Sequence, residues 1–210
     1  MGIAVPNGIE SGIFQFVKVA LSSIVALFGT SQIAANGIAQ SIWSVAALIS
    51  VTMGPVFITV IGQCMGLGDI DQAEQYFKKL MKITIAVSLF WNGVIFVLTP
   101  FITKGYAISD ITQQYVIYLV LIHNIGNAVI FPFADPLGKG LRAAGDVKFT
   151  MIISLVTTIG VRLILSIIFG IVLKMGVIGI AIAMCMDWLV RAVIFWIRFK
   201  NGKWKTFQVI

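Results

Sequence analysis

Long apolar stretches alternate with short polar ones along the whole chain. Each apolar stretch is close to the roughly 20 residues that an α-helix needs to cross a hydrocarbon core about 30 Å thick. The pattern predicts an all-α, polytopic membrane protein whose helices form a single bundle within residues 1–210. Clusters of charged, glycine and proline residues set the ends of six predicted spans: 9–29, 36–61, 81–101, 113–133, 149–172 and 176–198.

The connector between the fourth and fifth predicted helices is strongly polar. Residues 139–148, KGLRAAGDVK, hold three cations and one acid, so this segment cannot lie in hydrocarbon. We expect a tight turn at the membrane surface, with Asp146 capping the helix that begins near Val147. The fourth and fifth helices then form a hairpin.

Composition supports the membrane class. Apolar residues make up 59% of the chain and charged residues 11%, against about 25% charged in an average soluble domain. The net charge of +7 is spread over short loops, so we do not predict a nucleic-acid partner. Cys64 and Cys185 form no paired motif and are interpreted as reduced packing residues. We find no His-Glu-x-x-His motif, paired catalytic carboxylates or serine elbow, so we do not expect an enzyme.

The distribution of cations predicts the orientation. With alternate crossings, the connectors 62–80 and 138–148 and the tail 199–210 share one side of the membrane. Positive charge is concentrated on the cytoplasmic side of membrane proteins, so we expect both termini in the cytoplasm of a multi-pass protein of the cell membrane. That side holds ten cations against two on the other: Lys78, Lys79, Lys82, Lys139, Arg142, Lys148, Arg198, Lys200, Lys203 and Lys205 against Lys104 and Lys174.

Ionisable residues inside the predicted spans are costly and need a reason to be there. Asp187 and Arg191 are one helical turn apart, a spacing at which an acid and a base can pair. Arg162 lies at a depth that agrees with that of Asp187 to about 3 Å. We predict a structural cluster of Arg162, Asp187 and Arg191 within the membrane, and a direct role in proton or ligand binding is the alternative.

The fourth predicted helix carries a polar stripe. His123, Asn124, Asn127 and Asp135 fall within an arc of about 120° on an ideal helix, so they should face the bundle interior or a water-filled cavity. His123 could be a satisfied core residue or a proton carrier. Asp135 stands between two prolines that free backbone carbonyls, an oxygen-rich setting that would suit a sodium ion. The alternative is that Asp135 simply lies at the cytoplasmic interface.

The first predicted helix has a second polar face. Ser11, Gln15, Lys18 and Ser22 lie within about 60° of one another, with Glu10 to one side. Lys18 is near the middle of the span, too deep to reach the interface easily. We therefore expect a partner carboxylate or a cavity around its ammonium group.

Several segments resemble one known family. They are PNGIESGIFQFVK, IAANGIAQ, GQCMGLGDIDQAE, GLRAAGDVKFTM and AMCMDWLVRAVIFWIRFKNGKW, in this order along the chain. Each is similar to the second half of the multidrug and toxic compound extrusion (MATE) transporters. The resemblance implies an antiporter that exports organic cations in exchange for sodium or protons, with no other cofactor. It also implies a twelve-helix protein of two six-helix bundles, of which this chain is similar to the C-terminal one.

The resemblance also bears on sites and partners. Members of the family often carry an acid on the first or fourth helix of this bundle that binds the coupling ion or the drug, and Glu10 and Asp135 occupy those helices. The missing partner would be an N-terminal six-helix bundle or a second copy of the chain, in contact with membrane lipid. The ion- or substrate-binding candidates are Glu10, Lys18, His123, Asn127 and Asp135, and no other metal site is expected.

Two alternatives to a drug antiporter remain open at this point. An exporter of lipid-linked sugars or polysaccharide would share the architecture and bind anionic head groups through cations in the cavity. Lys18 and Arg162 facing one open cavity would favour that alternative. A truncated, non-transporting product would keep the structural charge cluster but would need no functional carboxylate.

Overall fold

Helices account for nearly all of the chain. The computed structural model describes residues 4–207, with side chains from residue 12 onward, and this part of the chain contains no β-strand. In chain order the α-helices are α1 Ala4–Val25, α2 Thr30–Ala46, α3 Leu48–Gly66, α4 Ile70–Lys104, α5 Asp110–Val129, α6 Phe131–Ala134, α7 Pro136–Ala143, α8 Val147–Val156, α9 Ile164–Ile167 and α10 Gly176–Lys200.

The helices correspond to the predicted spans, but several are interrupted. The second span consists of α2 and α3, which meet at Ala47, and the third lies inside the longer helix α4. By length and composition, α3, α4, residues 147–172 and α10 could each cross a membrane. Helix α5 and the segment after it form a further candidate, bent by 58°, and the described apolar part of the first helix, Gly12–Phe28, is shorter.

The bend in the fourth span follows from its prolines. Helix α5 ends at Val129, and the short helices α6 and α7 carry Pro132 and Pro136 in their first turns. Proline has no N–H and its ring clashes with the preceding turn, so the first turn of a helix is where it fits best. The helix is therefore interrupted at Ile130 and at Asp135, and the segment after Ile130 is bent by 58° relative to α5.

The fifth span contains two π-helical segments. Residues Thr157–Leu163 and Ile168–Val172 adopt the wider i→i+5 turn on either side of α9. Such segments are rare and are frequently found at functional sites. Arg162 lies in the first of them.

Packing divides the interior into regions. Helix α2 packs on α5, α3 packs on α4 and α7, and α10 contacts α5, α6 and the fifth span. At one end the core is aromatic, with Phe77 in contact with Phe57, Phe199 and Trp204. A Cβ atom at Gly140 would lie 2.4 Å from the ring of Phe77, so this position on α7 needs glycine for the helices to approach.

Ion pairs tie the connectors together at that end. Arg198 of α10 donates from Nε to Asp146 Oδ2 at 2.6 Å, and the Asp146 side chain does not cap α8 as predicted, because the guanidinium takes its carboxylate. In the tail, Lys205 forms an ion pair with Glu74 of α4. Lys205 and then Lys78 hold the pKa of Glu74 at about 2, below its usual range. Helix α4 has 35 residues and is about 52 Å long, so Glu74 in its second turn lies beyond the hydrocarbon core.

Candidate binding cavity

A partly open cavity of about 420 Å³ lies between the helices of the bundle, with Lys18 and Ser22 exposed at its wall. Its walls come from α1, α2, the α5–α6 break, the first π-helical segment and α10. Polar and charged side chains line it, although the helices that supply them are mostly apolar. A polar cavity within a membrane bundle is where ligand sites of membrane proteins are built.

Two helices present regularly spaced side chains to the cavity. From α1, Phe14, Lys18 and Ser22 line it at intervals of four residues, which places them on one face. From α2, Asn36, Gln40 and Trp43 line it on a similarly spaced face. Among the described side chains, no carboxylate lies within ion-pair distance of Lys18. Of the two surroundings predicted for its ammonium group, the structure therefore shows the cavity.

Asp187 and Arg191 form a buried ion pair in the cavity wall. Arg191 Nη2 donates to the two Asp187 oxygens at 2.9 and 3.2 Å and to Thr158 Oγ1 at 2.9 Å. Its Nε donates to Thr157 Oγ1 at 3.3 Å. Asp187 is fully buried and Arg191 is 8% exposed, so the pair clamps α10 to the first π-helical segment.

Arg162 lines the cavity together with Asp187 and Arg191, as the predicted cluster has it, but makes no direct ion pair with Asp187. Arg162 Nη2 lies 2.7 Å from Met184 Sδ, and its buried Nε has no hydrogen-bond partner. Arg191, one turn from Asp187 on the same helix, is the cation that pairs with the carboxylate.

His123 and Trp43 also bring unsatisfied polar atoms to the cavity. His123 is 2% exposed, and neither of its ring nitrogens has a hydrogen-bond partner. Trp43 stacks on Trp188 with ring centres 6.1 Å apart, while its buried indole Nε1 donates to no acceptor. A satisfied core histidine was one of the two predicted interpretations of His123, and the geometry does not support it.

Asn127 does not line the cavity. It is fully buried, and its Nδ2 donates to Asn92 Oδ1 of α4 at 3.3 Å. Helix α5 packs on α4 as well as lining the cavity. The polar stripe predicted for this helix is therefore divided, with one part facing the cavity and the other facing α4. Asn127 serves the packing of α4 on α5, and of the predicted stripe only His123 and Asp135 reach the cavity.

Asp135 does line the cavity, but its carboxylate is already paired. Lys139 Nζ lies 2.8 Å from Asp135 Oδ2. Gly54 leaves room for the lysine, because a Cβ atom there would lie 2.5 Å from Lys139 Cδ. The structure shows no cluster of three or more metal-ligating His, Cys, Asp or Glu side chains from residue 12 onward. A sodium ion at Asp135, which remains a prediction, would have to compete with the lysine.

Other predicted residues are accounted for as follows. The side chains of Glu10 and Ser11 lie outside the described residues, and Gln15 is exposed and does not line the cavity. Sequence reasoning missed Asn36, Gln40 and Trp43. The spacing of Asn36 and Gln40, two amides four residues apart in an apolar helix, was the signal that could have identified this wall.

The fold and the cavity define a class, a multi-pass α-helical membrane protein with a polar cavity inside its bundle. A family model described as MatE matches residues 6–168. The chain belongs to this family, and the resemblance that the sequence motifs carry is confirmed.

Relatives support the same assignment. Probable multidrug resistance protein NorM of Listeria innocua serovar 6a is 26% identical over 169 residues, which are 75% of this chain and 34% of the relative. Probable multidrug resistance protein YoeA of Bacillus subtilis is 20% identical over 181 residues, covering 85% of this chain and 38% of the relative. The chain therefore spans less than half the length of the curated relatives it matches.

Solved structures show the same fold. A MOP superfamily transporter from Pyrococcus furiosus, described as having a binding pocket of reversed polarity, superposes with a TM-score of 0.88 at 17% identity. That match covers 96% of this chain and 45% of the other. The MATE transporter ClbM in complex with Rb⁺ gives a TM-score of 0.84 at 14% identity, covering 96% of this chain and 47% of the other. The chain thus has the fold of one bundle of a MATE transporter.

Proposed function

We propose that this chain is the C-terminal bundle of a secondary active exporter, an antiporter that exchanges its substrate for sodium or protons. The observation that carries the proposal is the polar cavity of about 420 Å³ inside an apolar bundle. In transporters built from repeats, the substrate site lies near the middle of the membrane where two bundles face each other. The cavity would form one wall of that site, and the activity is transport and not an enzymatic reaction.

The substrate class has two candidates. The relatives named as probable multidrug resistance proteins favour organic cations, for which Glu10 and Asp135 would supply negative charge. A substrate with an acidic head group, such as a lipid-linked sugar, is favoured by a specific observation: Lys18 and Arg162 line the same cavity. The charges of the described residues support the second candidate more strongly, since Asp135 is paired with Lys139.

The complete transport path needs a second bundle. Alternating access works by rocking one bundle against another around a shared site, and this chain provides one bundle. We propose an N-terminal bundle, or a second copy of this chain, as the partner. Left facing lipid, the cations on the cavity walls would be expensive.

Reconstitution tests this proposal. The purified chain would be placed in vesicles with an imposed sodium or proton gradient, together with ethidium as a cationic probe and carboxyfluorescein as an acidic probe. We expect gradient-driven movement of a probe only when the chain dimerises or when an N-terminal bundle is supplied. Transport by a species that sizes as a monomer would contradict the two-bundle requirement. No transport in any assembly would favour a non-transporting product.

A further inference from the structure

Three buried N–H donors of the cavity have no acceptor. They are the indole Nε1 of Trp43, the ring nitrogen that carries the proton in His123, and Nε of Arg162. All three residues line the same cavity. Buried donors in native proteins are nearly always hydrogen-bonded, and leaving one unmet costs about 1–3 kcal/mol. Three unmet donors in residues that line one cavity would be satisfied by the acceptor atoms of a ligand that binds there.

Side chains in the described part of the chain do not supply those acceptors. The cavity has two carboxylates there, Asp187 and Asp135, and each is held by a base, Arg191 in one case and Lys139 in the other. Among the residues whose side chains the structure describes, Lys18 and Arg162 are the cavity cations that make no ion pair. The excess charge of these described residues around the cavity is therefore positive, which attracts an anion and repels a cation.

The rest of the wall is apolar and aromatic. Trp43 and Trp188 stack at 6.1 Å, and the Phe131 ring lies 4.9 Å from that of Trp188. Phe14 closes the wall from α1. A ligand that fits both parts has a flat or apolar body for the aromatic rings and an oxygen-rich acidic group for the donors.

We propose that this cavity binds an amphipathic organic acid through its carboxylate or phosphate group, with Lys18 and Arg162 as the charged contacts. The N–H groups of Trp43 and His123 supply further hydrogen bonds to the acidic oxygens. This inference rests on the proposed function and names its substrate class. Arg191 also lines the cavity, but its charge is neutralised by Asp187, so we do not count it as a third charged contact.

A binding experiment with three matched probes tests the proposal independently of transport. The 210-residue chain would be placed in phosphatidylcholine nanodiscs and titrated by calorimetry with 2-naphthoate, 2-naphthamide and 2-naphthylmethylammonium. These share one aromatic body and differ in charge. We expect naphthoate to bind at least tenfold more tightly than the ammonium compound, which corresponds to about 1.4 kcal/mol.

Variants assign the contacts. Lys18→Gln and Arg162→Gln should each weaken naphthoate binding by about tenfold or more while leaving naphthamide within about twofold, since a charge-assisted hydrogen bond is lost. Lys18→Arg should retain most of the affinity. Lys104→Gln, a change of an exposed cation outside the cavity, is the matched control and should change nothing. If Arg162→Gln fails to fold, Lys18→Gln decides, because Lys18 makes no ion pair with any side chain that the structure describes.

The outcomes separate this proposal from the transport proposal. Equal affinity for the three probes, or a preference for the ammonium compound, would overturn the acidic-ligand assignment even if the vesicles transport. Selective naphthoate binding without transport would uphold the site while the exporter assignment fails. Phosphatidylglycerol in the nanodiscs identifies the source: displacement of bound naphthoate indicates a lipid head group, and no displacement indicates a soluble acid.

Discussion

Arg162 and Arg191 line one cavity but have opposite surroundings. Arg191 donates to both oxygens of Asp187 and to two threonines, and its guanidinium carbon lies 5.4 Å from the centre of the Phe14 ring. Arg162 contacts a methionine sulfur and leaves its Nε unpaired. An arginine that is paired with a buried carboxylate is costly to unpair, whereas one without a carboxylate partner is available to a ligand. The two residues therefore carry different roles despite their identical chemistry.

Breaking the buried pair should be costly. Asp187→Asn leaves the Arg191 guanidinium without its charge partner, and we expect a loss of about 3–5 kcal/mol in the free energy of unfolding. Adding Arg191→Gln should recover much of that loss, because no buried charge remains unpaired. Thermal unfolding of the detergent-solubilised variants measures both effects.

Two controls test the geometry of this pair. Adding Arg162→Gln to Asp187→Asn should give no recovery, since Arg162 makes no ion pair with Asp187. Asp110→Asn, a change at an exposed acid in the first turn of α5, should alter stability by less than about 1 kcal/mol. Recovery by Arg162→Gln instead of Arg191→Gln would show that the pairing is wrong.

Sequence spacing predicted contacts within a helix better than contacts between helices. Asp187 and Arg191 are one turn apart, and the structure pairs them as expected. The equal depth of Arg162 and Asp187 in the membrane did not predict an ion pair between them, because depth does not show which cation binds the carboxylate. Asn127 was misplaced for a related reason: a polar stripe does not reveal which of two neighbouring helices it faces.

At the scale of the helices, close backbone approach is as informative as side-chain chemistry. A Cβ atom at Gly179 of α10 would lie 2.6 Å from the backbone carbon of Phe169 and 2.8 Å from the nitrogen of Gly170. A backbone cannot move aside as the end of a flexible side chain can. The hairpin of the fifth and sixth spans is therefore packed backbone against backbone at this point.

Substitution at this crossing should separate the two helices. We expect Gly179→Ala to destabilise the chain by about 1–3 kcal/mol, the usual cost of overpacking. Gly37→Ala is the matched control, since nothing lies within 4 Å of a Cβ atom there. That change should be neutral or stabilising by about 0.5–1 kcal/mol, because alanine favours helices. Equal thermal shifts for the two variants would contradict the close approach.

The helical breaks differ in how far they could be predicted. Pro132 and Pro136 mark the bend after α5. The predicted stripe assumed one straight helix across this bend, so the angle that it gave Asp135 around the helix axis was incorrect. The π-helical segments at 157–163 and 168–172 have no comparable signal, because no proline lies in them. Both segments pack against α10, a tertiary contact that the local sequence does not encode.

The whole molecule has two chemically different ends. Arg198–Asp146 and Lys205–Glu74 close the end that holds most of the cations. At the other end, Gln32 Oε1 accepts a hydrogen bond from the backbone N–H of Val177 at 3.0 Å. An all-α bundle and the family were predictable from apolar periodicity and motifs, since both are properties of the linear chain. The six crossings remain a prediction, because four helices of the described chain, or five with the bent pair, are long and apolar enough to span a membrane.

The orientation of these ends can be measured with introduced cysteines. In intact cells we expect a membrane-impermeant maleimide to label Ala107→Cys, in the exposed α4–α5 connector, and to leave Lys203→Cys unlabelled until the membrane is opened. The parent chain is the background control, because Cys64 is buried and Cys185 half-buried. External labelling of Lys203→Cys would reverse the proposed topology.

The first π-helical segment makes the helix after it tolerant of a change in chain length. A π turn holds more residues than an α turn, so removal of a single codon between 157 and 163 would favour a return to the regular α ladder. Residues beyond the deletion would then keep their faces, because the wider turn accommodates its extra residue without rotating the helix that follows. Loss of Ile159 or Gly160 would thus leave Thr157 and Thr158 facing Arg191 and Arg162 facing the cavity, a tolerance that comparison of chain lengths alone would not anticipate.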